Sequence, residues 1–337
     1  MLAGHLARSL ASPLARQLVA QQSGRPFDWD ILRDGMTPRR GSVAFTRAST
    51  GTFLNPANGL ISTAAINAAR IESDGLLIEP ARTNFWGFSE DLGNAQWNGF
   101  NLTGSLNTAL SPSGTMTADY QAANGVNGVH AFAPFYALSS GVVVAGSHYA
   151  KKYTGTGLRY TFVSMVTGAN NKTRFICYID LQTGICVETR TLATDGVPSN
   201  TSFKIESVGD YWRISATIAT NITGSLYHVF GLGKDAAPTW SADFSDPTFA
   251  GNSVDGIHVW GGQFEIVGAG GQSSSYMPTT SGVVTRSADV CTLNIPSTVA
   301  SLGITYGDNT TATVSVTPGG TYQLPASQKK YKSIIAL

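Results

Sequence analysis

Turn signals open near Asn124, Ser139, Thr154, Thr167, Gln182, Thr194, Val208, Asn221 and Gly233, so the centre of this chain is interrupted every 12 to 15 residues. That interval fits one strand of ordinary length and a short loop. The runs between the turns alternate. In YWRISATIAT, Trp212, Ile214, Ala216 and Ile218 face one way and Arg213, Ser215 and Thr217 the other, as in an antiparallel strand with one solvated face. Phe203 and Ile205 alternate with Lys204 and Glu206 in the same manner. GIHVWGGQFEI, residues 256–266, is apolar on both faces. It reads as a central strand with a bulge or a close backbone approach at Gly261-Gly262. Eight or more such strands predict a mainly β fold, an antiparallel jelly-roll β-sandwich.

Composition agrees. Only 13% of the 337 residues are charged, and 37 are glycine; this favours turns and strands over helices. A net charge of +1 gives no bulk electrostatic support to a nucleic-acid partner. No apolar run approaches the roughly 18 residues needed to span a bilayer. Cys177, Cys186 and Cys291 are an odd set without a C-x-x-C pair, which fits neither a zinc ribbon nor a full disulfide framework. Cys177 and Cys186 face each other across a possible hairpin; small apolar packing residues are the preferred reading of both. Sequons at Asn101, Asn171, Asn200, Asn221 and Asn309 are ordinary in so Asn- and Thr-rich a chain.

The ends differ in texture. In residues 1–24, Leu2, Leu6, Leu10, Leu14 and Leu18 recur every four residues, a stripe that stays on one side of a helix for two or three turns. Ser12-Pro13 starts and Gly24 stops a short α-helix, which needs a partner surface to be stable. Arg8 and Arg16 interrupt any signal-peptide core. The Arg- and Ser-rich, acid-free composition also fits a transit peptide, but self-association or docking on a larger assembly is preferred. Residues 25–75 read as a β-rich linker packing on the sandwich, 76–288 as the sandwich, and 289–337 as a small C-terminal β-module.

Chemistry is sparse. Glycan binding needs exposed aromatic faces with polar groups beside them. Trp240, in the loop KDAAPTWSADFSDPTFAGNSVDG with Asp243, Asp246 and Asn252, is the first candidate. Trp86 and Trp97, near Asn84 and Asn98, are second, although core or subunit-interface packing is the preferred reading of both. Calcium has four oxygen donors available in Asp235, Asp243, Asp246 and Asp255, in no EF-hand spacing; otherwise no cofactor is expected. Polysaccharide hydrolysis needs a carboxylate pair, and Glu79, Glu90, Asp91 and Glu265 are available, unpaired in sequence. His5, His130, His148, His228 and His258 form no H-E-x-x-H, and G-x-S-x-G and P-loop patterns are absent.

Eight phrases in one order carry further meaning: RASTGTF (47–53), LLIEPARTN (76–84), FSEDLGNAQWN (88–98), SPSGTMTADY (111–120), DLQTG (180–184), VGDYWRISAT (208–217), IHVWGGQFE (257–265) and SYMPTTSGVVTRSADV (275–290). Together with LARSLASPLARQ near the start, they resemble tailed-bacteriophage virion fibre proteins of the tail-fibre and head-fibre type. The likeness spans about residues 1–290. It implies a concanavalin-A-like, carbohydrate-binding-module jelly roll and a structural, non-enzymatic virion component. It also implies a homotrimer attached to other virion proteins through its N-terminal segment, with host-surface glycan as the outward partner. The implied place is the virion, assembled in the bacterial host cytoplasm. A head-fibre or capsid decoration protein without receptor role, and a polysaccharide depolymerase, are the alternatives. The matched phrases read as fold signatures, with Trp212 and Trp260 as core aromatics and Glu79 with Arg82 as a local ion pair or turn staple.

Overall fold

The computed structural model describes residues 25–168, 170, 173–242, 245–327 and 329–337. The leucine stripe from Leu2 to Leu18, and the helix expected on it, lie outside these residues. The described chain is nearly all β, in antiparallel sheets and without a closed barrel. The expected mainly β sandwich is therefore the fold. Two compact units divide it.

The larger unit holds residues 50–64 and 81–287. Gly256–Ile266 lies inside a six-stranded sheet, in the order Ser199–Val208, Tyr211–Ala219, Val143–Lys151, Gly256–Ile266, Ala118–Ala123, Leu102–Ala109. A seven-stranded sheet runs Ile185–Ala193, Thr173–Asp180, Tyr160–Thr167, Gly224–Gly233, Ala131–Phe132, Gly99–Phe100, with Phe135–Leu138 also paired to Gly224–Gly233. Alternation decides what meets between the sheets. Val144, Ile214, Ile218, Val259 and Phe264 come from the first and Val163, Met165, Ile179, Leu226 and Phe230 from the second, in one core. Each such side chain contributes about 1.5–3 kcal/mol on burial.

The anticipated irregularity sits at the paired glycines. Register against Val143–Lys151 shifts between Ser147 and Tyr149, and Gly261 has φ +67°. At Gly262 a Cβ would fall inside the Trp97 ring, so a side chain there is excluded by close approach rather than by backbone strain.

One expectation is corrected. Arg213, Ser215 and Thr217 were placed on a solvated face, yet all three are buried. Arg213 donates to Ser147 Oγ at 3.2 Å and to the Ser274 carbonyl at 2.6 Å, and Thr217 and Ser202 share a hydroxyl bond of 2.7 Å. Tyr149, Trp260 and Tyr276 pack in a second cluster with Tyr211. The outer face of the seven-stranded sheet is likewise covered, around Tyr160, Phe162, Ile176 and Tyr178. A two-residue period identifies a face but does not say whether another layer covers it.

The smaller unit combines residues 25–49, 65–80 and 288–337. Its Tyr331–Ala336 strand pairs with Ser301–Tyr306 and also with Asp28–Asp30 and Gly75–Leu77. A three-stranded sheet joins Ser42–Thr46, Val290–Asn294 and Thr321–Gln323. The single helical turn Ile31–Asp34 is N-capped by Asp30. Trp29, Ile31, Leu76, Leu293, Leu302 and Ile334 share the core. Segments read from sequence as linker and as C-terminal module thus contribute strands to the same sheets. The three cysteines are free thiols, with Cys177 and Cys291 buried.

Within this unit a buried ionic clasp joins three of the eight phrases. Arg47 Nη1 meets Asp289 Oδ1 at 3.1 Å, Arg70 meets the other oxygen of Asp289, and Arg70 Nη1 meets Glu79 Oε2 at 2.7 Å. The Glu79 amide donates to Asp289 Oδ2 at 2.8 Å, and the Asp289 amide returns a bond to the Glu79 carbonyl at 2.9 Å. Arg47 also donates to the carbonyls of Ser49 and Ala65, each at 2.8 Å. Removing Asp289 leaves two buried guanidinium groups without their shared anion. Asp289→Ala is expected to lower unfolding free energy by about 3–5 kcal/mol, read by chemical denaturation. A loss below 1 kcal/mol would show that the clasp contributes little.

Candidate functional site

The loop carrying Trp240 is a third layer. Thr239–Trp240 and Asn127–Gly128 both pair with Pro247–Ala250, and this ribbon lies against the outer cluster of the seven-stranded sheet. Trp240 is half-buried, edge-on to Tyr178 with ring centres 5.8 Å apart, and Arg190 holds its guanidinium 4.5 Å above the Trp240 ring. The ring is therefore engaged in packing and a cation–π contact. Asp246 is buried and bonded to Arg174 Nη1 at 2.6 Å. Burial raises its carboxyl pKa despite the pull of Arg174. Asn252 is exposed, but its amide is committed locally, donating to Asp255 at 2.8 Å and accepting from the Val254 and Asp255 amides. Asp243 lies outside the described residues. Among the described residues no open sugar platform forms around Trp240.

Trp86 and Trp97 are corrected more firmly. They are 3% and 0% exposed and belong to the main core, where they meet edge-on at 6.2 Å. Neither offers a face to a sugar ring. Trp260 is buried as expected, while Trp212 is half-buried, with its indole N–H on the Leu181 carbonyl at 2.8 Å and Lys152 over the ring at 4.6 Å.

The carboxylates considered for hydrolysis are similarly employed. Glu79 holds Arg70 rather than Arg82; Arg82 donates to the carbonyls of Ala81 and Val267, each at 3.1 Å. Glu265 accepts from Gln263 and from the amide and hydroxyl of Ser274 at 2.9 and 2.6 Å. Asp91 caps a turn through the Gly93 amide at 3.2 Å. Glu90 accepts from the Tyr276 hydroxyl at 3.2 Å, and burial raises its pKa. Among the described residues no group of three or more His, Cys, Asp or Glu is placed to hold a metal ion. Asp235, Asp246 and Asp255 form no such group.

Asn84 shows what the phrase LLIEPARTN does in the larger unit. Its amide donates to the carbonyls of Gly262 and Met277 at 3.2 and 3.0 Å and accepts from the amides of Trp86 and Phe264 at 3.1 and 3.0 Å. One buried side chain therefore ties three of the phrases together through backbone groups.

Beside Asn84 the ribbon of Arg82–Asn84 and Val284–Arg286 opens onto a cavity of about 160 Å³. Ala81, Arg82, Thr83, Phe85, Ile266 and Thr285 line it. The hydroxyls of Thr83 and Thr285 lie 2.8 Å apart across the strand pair. Phe85 is half-buried, its ring 4.8 Å from that of Tyr136, and Ile266 is 40% exposed. Sequence reading missed this site because its residues come from both ends of the larger unit and no single phrase is enriched in ligand-binding types. The available signal was the polar run RTN beside an aromatic.

Between the sheets lies a second unassigned feature. His148 and His228 are fully buried with ring centres 5.8 Å apart, and His148 stacks on Phe230 at 4.4 Å. Neither imidazole ring has a hydrogen-bond partner among the described residues. Burial drives the His148 pKa well below the usual range, with His228 adding to the effect, and burial alone brings His228 to about 3. Gly146 leaves room for the His228 ring.

The chain matches no protein-family model and no curated protein. Among solved structures, it is similar at 8% identity and a TM-score of 0.21 to the adhesin domain of Epf from Streptococcus pyogenes, over 93% of this chain and 85% of that one. No helix among the described residues is long and apolar enough to cross a membrane.

The histidine pair sets an acid limit. In the unfolded chain each ring takes a proton near pH 6.5, while folded His228 stays neutral down to about 3. Between those values the unfolded state binds the extra proton, so stability is complete above about pH 6.5 and declines as pH falls toward 3. Each histidine adds a slope of up to about 1.4 kcal/mol per pH unit. His228→Leu is expected to flatten the acid dependence measured by denaturation from pH 7 to 4. An unchanged slope would mean that carboxylates alone set it.

Proposed function

We propose that this chain is a structural, non-enzymatic component of a bacteriophage virion, a tail-fibre-type appendage that presents its sandwich for attachment to host-surface glycan. The observation that carries the reading is the ordered set of phrases resembling virion fibre proteins. Its support within the molecule is the work those phrases do. Arg47, Glu79 and Asp289 close the ionic clasp, and Asn84 ties Gly262 and Met277. Likeness at such positions is likeness of architecture, which is what a repeated structural part would retain. The many side-chain carboxylates engaged in holding the fold fit the same non-catalytic role.

Three copies associate through residues 1–24, whose leucines need a partner surface, and the same segment docks on other virion proteins. Individual glycan contacts are weak and gain strength from several copies on one particle. The purified full chain is expected to have the mass of three protomers, to bind host cells saturably and to compete with phage adsorption; antibodies to it should label the tail. Capsid labelling without cell binding would favour a decoration role. Release of reducing sugar ends from host polysaccharide would replace the reading with a depolymerase.

A further inference from the structure

We propose that the cavity between Arg82 and Thr285 is the glycan contact of this chain and that it takes a carboxylated pyranose, a uronic- or sialic-type unit, rather than a neutral one. This deepens the attachment reading and rests on it. Size comes first. About 160 Å³ is room for roughly five waters at liquid density. It falls below the roughly 300 Å³ at which pockets for drug-sized ligands begin, and the depression is open to solvent, so it seats one sugar ring of a longer chain.

The lining then selects the chemistry. Arg82 is the one charged residue among the six that form the wall, and none of them is an acid. Its guanidinium is held in place by the Ala81 and Val267 carbonyls. Of the five N–H donors of an arginine, those two bonds leave three. A carboxylate takes two of them in parallel, and such charge-assisted bonds are about twice as strong as neutral ones. The planar fork accepts a carboxylate in two parallel bonds and a tetrahedral oxyanion as well, so the sulfated counterpart in the test decides between the two anions.

Thr83 and Thr285 supply the neutral half. One hydroxyl donates to the other at 2.8 Å. The accepting hydroxyl keeps its own hydrogen for a ligand, and both oxygens retain acceptor capacity. The half-buried ring of Phe85, backed by Tyr136 at 4.8 Å, and the exposed end of Ile266 offer apolar surface to sugar C–H groups. A cation, a hydroxyl pair and an apolar wall therefore meet in one concavity, a combination not found among the described residues of the Trp240 loop.

The test uses the full chain and oligosaccharides terminated by glucuronate, galacturonate, mannuronate or sialate, each beside its carboxyl-reduced form and a sulfated neutral counterpart. Binding is read by saturation-transfer NMR and calorimetry. At least one acidic member is expected to bind with Kd on the order of 1 mM, and carboxyl reduction to weaken it at least about tenfold. Arg82→Gln should cause a comparable loss. Thr285→Val, which preserves shape, should weaken binding several-fold while thermal melting shows the fold intact. Binding by no acidic member, equal binding of reduced or sulfated forms, or full affinity in both variants overturns the assignment. If the chain adsorbs to host cells and both variants adsorb equally, the pocket assignment fails and the attachment reading survives. If the unaltered chain does not adsorb at all, the attachment reading itself fails.

Discussion

Asp289 occupies a position that few folds can tolerate: a carboxylate removed from water and surrounded by Arg47, Arg70 and the Glu79 amide. Desolvating such charges is costly, and their attraction offsets the cost only when every donor and acceptor is met. That condition makes the clasp selective. Arg47 and Asp289 are 242 residues apart in sequence, so one correct arrangement fixes the register of the first, middle and last parts of the smaller unit together. Asn84 has the corresponding place in the larger unit, without charge. Its single amide satisfies four backbone groups that would otherwise be buried unpaired.

Much of the fold was legible because the signals were local. Ile214, Ala216 and Ile218 reached the core their period assigned, and Gly256–Ile266 became an interior strand with its irregularity at the glycines. What could not be read was how the polar faces are satisfied. Arg213 and Thr217 look solvated in sequence, and only the presence of Ser274 and Ser202 beside them shows how they are satisfied. Trp240, Trp86 and Trp97 raise the same difficulty from the other side. A tryptophan in a polar stretch reads alike whether its ring meets solvent or a neighbouring sheet, because the deciding atoms belong to distant segments. The Arg82 cavity is the extreme case, with walls drawn from positions 81–85, 266 and 285.

Covered faces also redirect where a ligand can reach this sandwich. The Tyr149–Trp260–Tyr276 cluster occupies one outer face and the Tyr160–Tyr178 cluster with Trp240 the other. Those two patches of sheet face are closed to a ligand. Ribbon margins stay accessible, and there Ile266 and the Thr83–Thr285 pair are found.

The placement of Tyr331–Ala336 gives the molecule a clock. This strand bridges Ser301–Tyr306 to both Asp28–Asp30 and Gly75–Leu77, yet it leaves the ribosome some three hundred residues after the first of them. The larger unit can settle while translation continues. The smaller one must wait with two of its edges open, held apart by the loop-closure entropy of everything between. A ribosome that stalls late therefore releases a chain with a completed larger unit and an incomplete smaller one. The open strand edges of such a product are templates for pairing with another chain.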